Sequence, residues 1–288
     1  MRCLVAGGSG FLGSHVADEL TNKGHKVTIF DRKKSKFIKE KQKFVKGDIC
    51  NIKSLMDAIQ KSDVVFNFAG LADIDEARSK PLETAQSNII GIINILLCCK
   101  KYKIQKIIHA SSIYANSHEG SFYATSKRCA EDYIEEFSNR YNLNYVILRF
   151  GSLYGERADK NNGIKLIVDE IVKNKKLIYL GSSKASRRYI HVKDAAIACN
   201  SVIQKKFKKI CLNITGKKTI KIQKMFSTIG KALKIKKRKF LNKQNSGHYI
   251  SKPTKYNLRK SKNFFVAKEK NFYKGFFELL NQKKVKGL

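Results

Sequence analysis

The chain has no tryptophan and only two prolines in 288 residues. So little proline argues against long extended linkers, and no internal repeat or low-complexity spacer divides the sequence. Long apolar runs are missing too. The most apolar stretch, Ile89 to Cys99, is about half the ~20 residues of a membrane-spanning helix, and Asn94 interrupts it. No membrane span is therefore expected. A secretory core is absent from the N-terminus, where a strand-like run turns at once on glycines, and a cytoplasmic protein is the expectation.

A cysteine framework is also lacking. The seven cysteines are odd in number, with Cys98 and Cys99 adjacent and Cys3, Cys50, Cys129, Cys199 and Cys211 scattered. Without Cys-x-x-Cys spacing, reduced and mostly buried thiols are expected, and no metal site.

The greatest shortage is of acids: 23 Asp and Glu stand against 59 Lys and Arg, a formal charge of +36. Two segments concentrate it, Arg32 to Lys46 and Lys234 to Lys243. Clustered cations suit nucleic-acid phosphates. However, no recognised nucleic-acid module is present, and lysines spread over nearly every polar segment. Abundant Lys, Asn, Ile and Phe beside scarce Pro and Trp match AT-rich codon usage. Compositional drift is the preferred reading, attraction of an anionic small substrate the second, and no specific nucleic-acid partner is expected.

What is present begins at the first strand. Arg2 to Ala6 is a short apolar run, followed by Gly7-Gly8-Ser9-Gly10-Phe11-Leu12-Gly13 and an amphipathic stretch from Phe11 to Lys23. This pattern predicts strand, glycine turn and helix. Gly7 permits the turn, Gly10 lets backbone approach a pyrophosphate, and Gly13 lets the helix pack close to the strand. The N–H groups at Phe11 and Leu12 and the positive end of the helix dipole then face the anion. A second strand, Lys26 to Phe30, runs into Asp31, about 20 residues on, where a carboxylate bonds the ribose hydroxyls of NAD. A 2′-phosphate would be repelled, so NAD is favoured over NADP, although Arg32 adjoins that acid.

Further alternation follows: strand Phe44 to Ile49, helix Asn51 to Gln60, strand Asp63 to Asn67, helix Leu82 to Tyr102 and strand Gln105 to His109. Regular β–α alternation predicts an α/β fold with a doubly wound (Rossmann) parallel sheet.

The candidate chemistry lies in Ser111-Ser112-Ile113-Tyr114 and Tyr123-Ala124-Thr125-Ser126-Lys127. Tyr-x-x-x-Lys places both side chains on one helix face, a turn apart. There the ammonium is expected to draw the phenol's pKa down from about 10, making Tyr123 a usable acid and base. Of the two serines at the strand end, Ser112 has the better offset for holding a substrate oxygen.

With these motifs in place, the sequence resembles the extended short-chain dehydrogenase/reductases, the NAD-dependent nucleotide-sugar epimerase/dehydratase family. The resemblance runs nearly end to end. Gly7 to Gly13 matches the family's glycine turn, Gly47-Asp48-Ile49 its adenine-contacting acid, and Phe68-Ala69-Gly70-Leu71 its nicotinamide-ribose loop. Asn88-Ile89-Ile90-Gly91 resembles the helix whose Asn lies near the cofactor. Leu148 to Gly155 resembles the strand entering the substrate lobe, with Ser152 where many relatives carry Asn. Arg187 to Asp194 resembles the segment whose first arginine holds the substrate diphosphate.

The resemblance implies an NAD-dependent enzyme in which Tyr123 is the acid/base, Lys127 binds ribose and tunes it, and Ser112 polarises the substrate oxygen. It implies cofactor contacts from Gly7, Gly10, Phe11, Leu12, Gly13, Asp31, Arg32, Asp48, Ile49, Phe68, Ala69, Gly70 and Asn88, and substrate contacts from Ser152 and Arg187. The substrate would be a nucleotide sugar and the assembly a homodimer. The expected division is a cofactor domain over 1–153 with a return segment near 187–213, and a smaller lobe from 154–186 and 214–288. Helices are expected in the lobe from Gly163 to Lys173 and from Ile220 to Leu233. Two departures matter: the Ser112–Tyr123 connection is short, and Ile113-Tyr114 replace the Asp-Glu pair of dehydratases. The expected reaction is 4-epimerisation, with net dehydrogenation or reduction as the alternative and a non-catalytic NAD-binding protein the third.

Overall fold

A computed structural model describes residues 1–241 and 260–286; Lys243, at the end of the second basic segment, lies outside them. The first apolar run becomes β1 (Arg2–Ala6), followed by α1 (Phe11–Asn22), β2 (Lys26–Asp31), β3 (Gln42–Lys46), α2 (Ile52–Ile59) and β4 (Val64–Asn67). Next come α3 (Ile74–Ser79), α4 (Pro81–Ala85), α5 (Gly91–Lys101), β5 (Lys106–Ser112), α6 (Ser121–Tyr141) and β6 (Tyr145–Phe150). The remainder comprises β7 (Ser152–Tyr154), α7 (Gly163–Asn174), β8 (Leu177–Leu180), β9 (Ser186–Arg187), β10 (Tyr189–His191), α8 (Val192–Ser201) and β11 (Ile210–Ile214). Last are β12 (Ile220–Lys221), α9 (Ile222–Ala232), β13 (Arg238–Leu241), β14 (Lys262–Phe264) and α10 (Phe272–Lys286).

Eight strands form one sheet in the order β14-β11-β6-β5-β4-β1-β2-β3, every neighbouring pair parallel. The strand order reverses beside β1, which opens a crevice at the carboxyl ends of β1 and β4. Successive residues of one strand serve opposite faces, as the two-residue strand period requires. Val5, Phe66, Ile108 and Leu148 pack on the side of α1 and α8. Leu4, Val65, Ile107 and Ile147 pack on the side of α2, α5 and α6. Both faces are covered, so these strands read as continuous Val/Ile/Leu runs, each buried side chain contributing about 1.5–3 kcal/mol.

A third core belongs to the later segments. Ile167 and Ile171 of α7, Phe226 and Ile229 of α9, and Phe276 and Leu280 of α10 close around Tyr154. The side chain of Asn162 starts α7 by accepting the Lys165 N–H at 3.2 Å. Between these helical segments the chain crosses back, α8 packing near α1 and β11 joining the large sheet beside β6.

The structure differs from sequence expectation in four places. Residues 262–264, expected in the lobe, pair with β11 as the outer strand of the main sheet; Lys-Asn-Phe is too short and polar to announce a strand, and the free edge of β11 recruits it. The third strand ends at Lys46, because Gly47 turns beneath Phe30, whose ring would lie 2.3 Å from a Cβ there. The fifth strand continues to Ser112, as its backbone keeps pairing with β6.

The expected helix from Leu82 to Tyr102 is interrupted by a π-helical stretch, Gln86–Ile90. As a whole, Pro81–Lys101 spans 21 residues and is apolar and long enough to cross a membrane by length and composition. Its burial tells otherwise about its place here: Ile92, Ile95, Leu96, Cys98 and Cys99 are sealed into the core beneath the sheet, and Asn94 donates to the Ile49 carbonyl at 2.9 Å. All seven cysteines are free and five are buried.

Candidate active site

The glycine turn closes on the carboxyl ends of β1 and β4. Gly7 has φ +75°, and a Cβ on it would stand 2.5 Å from the Ala69 nitrogen; a Cβ on Gly13 would stand 2.1 Å from the Gly7 carbonyl oxygen. No side chain larger than hydrogen fits either position. α1 opens from Gly10 with no side-chain cap and no acid in its first turn, so its N-terminal N–H groups at Phe11 and Leu12 meet no competing carboxylate. The Ser9 hydroxyl oxygen is buried without a partner among the described residues. An orphaned hydroxyl, a bare helix terminus and a turn made of glycine fit a dinucleotide pyrophosphate.

Asp31 stands at the end of β2, its carboxylate accepting the Ser9 N–H at 3.1 Å and the Lys33 N–H at 3.2 Å. The acid is thereby tied to the turn it is expected to complement. Asp48 accepts the Cys50 N–H at 2.9 Å, and Arg32, largely exposed, lies 4.0 Å from it. Ile49 is buried against Gly91 of α5.

The Phe68–Gly70 segment follows β4. Phe68 N–H extends the β1 pairing by donating to Ala6 O at 2.8 Å, and Gly70 has φ +139°, where a Cβ would stand 2.4 Å from Asn88 Oδ1. Asn88, expected near the cofactor, has its amide engaged elsewhere in the protein. Its Oδ1 accepts the Leu71 N–H at 2.8 Å, while Nδ2 donates to Leu71 O at 2.9 Å and Ser126 Oγ at 3.0 Å. With both donors used, Asn88 acts on this loop and on α6, and the π-helical turn is what aims it there.

Tyr123 and Lys127 lie one turn apart on α6, both buried. The Tyr123 phenol faces the Ser112 hydroxyl, which acts to lower its pKa and accepts the Tyr114 N–H at 3.2 Å. Lys127 Nζ donates to Ala110 O at 2.9 Å and lies 5.7 Å from the Tyr123 ring centre. Burial pushes the Tyr123 phenol upward, with the Ser112 hydroxyl opposing, and lowers Lys127 to about 8, with the Glu131 carboxylate opposing. The expectation that Lys127 draws the phenol downward is thus not met in the protein alone. Loss of water around a buried phenolate outweighs an ammonium already turned to a carbonyl.

Ser111 points away, donating to Glu131 Oε1 at 2.5 Å. Glu131 in turn holds Arg149 of β6 through bonds of 2.9 and 2.6 Å. Of the two serines, Ser112 is therefore the one beside Tyr123. Around the phenol, Ile74, Ala77, Tyr114 and Ala124 form an apolar wall joined by Leu71 and Ile113.

The two expected substrate residues lie on the later strands. Ser152 begins β7, half-buried, its N–H donating to Arg188 O at 3.1 Å. Arg187, buried in β9, donates to Ser186 O at 2.8 Å, and its charge reaches Tyr179. Sequence reasoning passed over Asn67, His109, Glu131 and Arg149, which form the polar floor beneath Tyr123 and Lys127. Glu131 alone left a signal, one further helical turn beyond Lys127. At the opposite end of the strands, an open cleft of about 860 Å³ is lined by Arg2, His25, Lys26, Lys41, Lys43 and Lys61; none of the expected site residues borders it.

Known proteins share this sequence pattern and this fold. The NAD dependent epimerase/dehydratase family matches residues 3–214. A Methanocaldococcus jannaschii protein provisionally named UDP-glucose 4-epimerase is 32% identical over 249 residues, 78% of this chain and 80% of its own. A Bacillus cytotoxicus UDP-N-acetyl-alpha-D-glucosaminuronate decarboxylase is 28% identical over 258 residues, 79% of each chain. The Thermotoga maritima UDP-glucose 4-epimerase structure with UDP-glucose superposes with a TM-score of 0.83 over 100% of both chains at 22% identity, a likeness of fold. The chain belongs to the NAD-dependent epimerase/dehydratase family and is an NAD-dependent enzyme of the extended short-chain dehydrogenase/reductase type.

Proposed function

We propose that the enzyme is a nucleotide-sugar 4-epimerase. The observation that carries this reading is the buried pair Tyr123 and Lys127, one turn apart on α6, with the Ser112 hydroxyl facing the phenol and the glycine cradle alongside. When bound, NAD supplies a nicotinamide ring that accepts a hydride from the sugar carbon and returns it. Tyr123 would take the proton of the sugar hydroxyl during the oxidising half and return it to that oxygen during the reducing half. Ser112 holds the same oxygen, and Lys127 holds the ribose. Asp31 receives the other ribose, and Asp48 and Ile49 flank the adenine. Arg187 receives the substrate diphosphate, and Ser152 borders the sugar. The sum is redox-neutral, as an epimerisation must be.

Dehydration is disfavoured because Ile113 and Tyr114 occupy the positions where an acidic pair would expel water, and both lie in the apolar wall. One observation favours net dehydrogenation instead. The connection from Ser112 to α6 is short, a 3-10 turn over Ile113–Asn116 and four further residues, a substrate-side loop from which a ketone escapes more easily. The deciding experiment supplies UDP-, GDP-, dTDP- and CDP-sugars with NAD and follows both epimer ratio and absorbance at 340 nm. Epimers that interconvert without accumulating NADH support the reading; NADH formed in step with sugar consumed overturns it in favour of a dehydrogenase.

The assembly is proposed as a homodimer in the cytoplasm. Ile90 and Leu97 on the α5 side, with Phe122 and Tyr133 on α6, expose large apolar surface that a second copy would cover.

A further inference from the structure

Strand β5 carries a histidine three residues before Ser112 that the mechanism leaves unused. His109 is 2% exposed and sits opposite Asn67 in the β4–β5 register, its Nδ1 3.2 Å from Asn67 Nδ2. The Asn67 amide is oriented from its other side, where Oδ1 accepts the Ala69 N–H at 3.1 Å. Because Oδ1 serves that N–H, the group facing the imidazole is the Nδ2 donor. Nδ1 must then accept, and the neutral ring carries its proton on Nε2.

Among the described residues, nothing accepts that Nε2–H. A buried donor calls for an acceptor. Lys127 is close, since its charge acts on His109 and its Nζ bonds the carbonyl of Ala110, the next residue. The ammonium has three N–H groups and Ala110 takes one. The His109 Nε2–H and the Lys127 ammonium are thus neighbouring donors, with the Ala110 carbonyl and the Glu131 carboxylate on the lysine's side and no acceptor for the ring. Water, with two lone pairs, accepts from both, and buried polar sites of this kind are where internal waters reside.

We propose that His109, locked as the Nε2–H tautomer by the Ala69–Asn67 relay, is a positioning residue. It holds a water beneath Lys127 that directs the ammonium toward Tyr123 and the cofactor ribose. Because Ala69 belongs to the Phe68–Gly70 loop, the relay ties the cofactor loop to the lysine. The direction assigned to Lys127 rests on the proposed function; the tautomer does not.

The test has two arms. Long-range ¹H–¹⁵N correlation spectra of histidine-labelled protein should show one ring, identified by its loss in His109→Gln, protonated at Nε2, bare at Nδ1 and not titrating between pH 8 and pH 5. A ring protonated at Nδ1, or titrating in that range, overturns the proposal. The second arm compares His109→Phe, which keeps volume without the donor, with His109→Gln, which keeps an N–H near Nε2. NADH affinity, and kcat at saturating NAD, should fall roughly tenfold in the Phe variant with the sugar KM within about twofold, and recover in the Gln variant. Wild-type values in His109→Phe overturn it. If the wild type turns over no nucleotide sugar, the function reading fails, while the ring spectrum and NADH affinity still decide this one.

Discussion

Arg149 and Glu131 form a two-pronged ion pair beneath the active site, at 2.9 and 2.6 Å, with side chains 2% and 0% exposed. The pair joins β6 to α6 and fixes the helix that presents Tyr123 and Lys127. Removing one partner strands a buried charge, so Arg149→Met should cost roughly 3–5 kcal/mol in urea denaturation. Arg149→Met with Glu131→Leu should recover most of that loss. A double variant as unstable as the single one would show that the charge left behind is not the cause.

The proposed acid/base role gives the next expectation. Tyr123→Phe should lower turnover by roughly 10²–10⁴. Lys127 keeps its bond to Ala110 O, so NADH titrations of this variant should match the wild type. Undiminished turnover would remove Tyr123 from the mechanism.

Asp31 serves two functions, and its variants separate them. Its carboxylate holds Ser9 and Lys33 N–H groups, and in the proposed complex it repels a 2′-phosphate. Wild type should bind NADH more tightly than NADPH by fluorescence titration. Asp31→Asn, which keeps an acceptor and loses the charge, should narrow that gap; Asp31→Ala should also weaken NADH binding by loosening the turn. Tighter NADPH binding by the wild type would hand the choice to Arg32.

Acid should destabilise the fold through its buried histidines. Burial lowers His191 to about 4 and also lowers His15. His191 Nδ1 accepts the Lys193 N–H at 3.2 Å, capping α8, and cannot do so once protonated. The unfolded chain takes up the proton first, at about pH 6.5, so stability is lost as pH falls from there through about 4. For His191 the loss approaches roughly 3 kcal/mol at the acid end. Thermal midpoints should fall across that window, and less steeply in His191→Asn, which keeps a cap without a titrating ring. Equal slopes would place the acid sensitivity elsewhere.

The sequence by itself determined the inner strands of the sheet and the glycine turn, though not the outer strand at 262–264. Val5 and Leu4, or Ile108 and Ile107, must face opposite layers once a strand is buried on both sides, and glycine at positions 7 and 13 admits no other residue. The spacing of Tyr123 and Lys127 was equally legible, because a helix puts residues four apart on one face whatever surrounds it. Tertiary structure alone decided the polar floor. Asn67, His109 and Arg149 sit in apolar strands with no periodicity to mark them, and their partners lie 18 to 42 positions away. It also decided the sign of the Tyr123 shift, because burial is a property of the packed core. Lys106 makes the same point at the far end of β5. In sequence it is one more lysine among 59 cations. In the fold it is 6% exposed, its ammonium donating to the carbonyls of Val202, Ile203 and Gln204 at the close of α8. A helix end with unsatisfied carbonyls makes a buried cation tolerable, and only the approach of α8 to the amino end of β5 puts the two together.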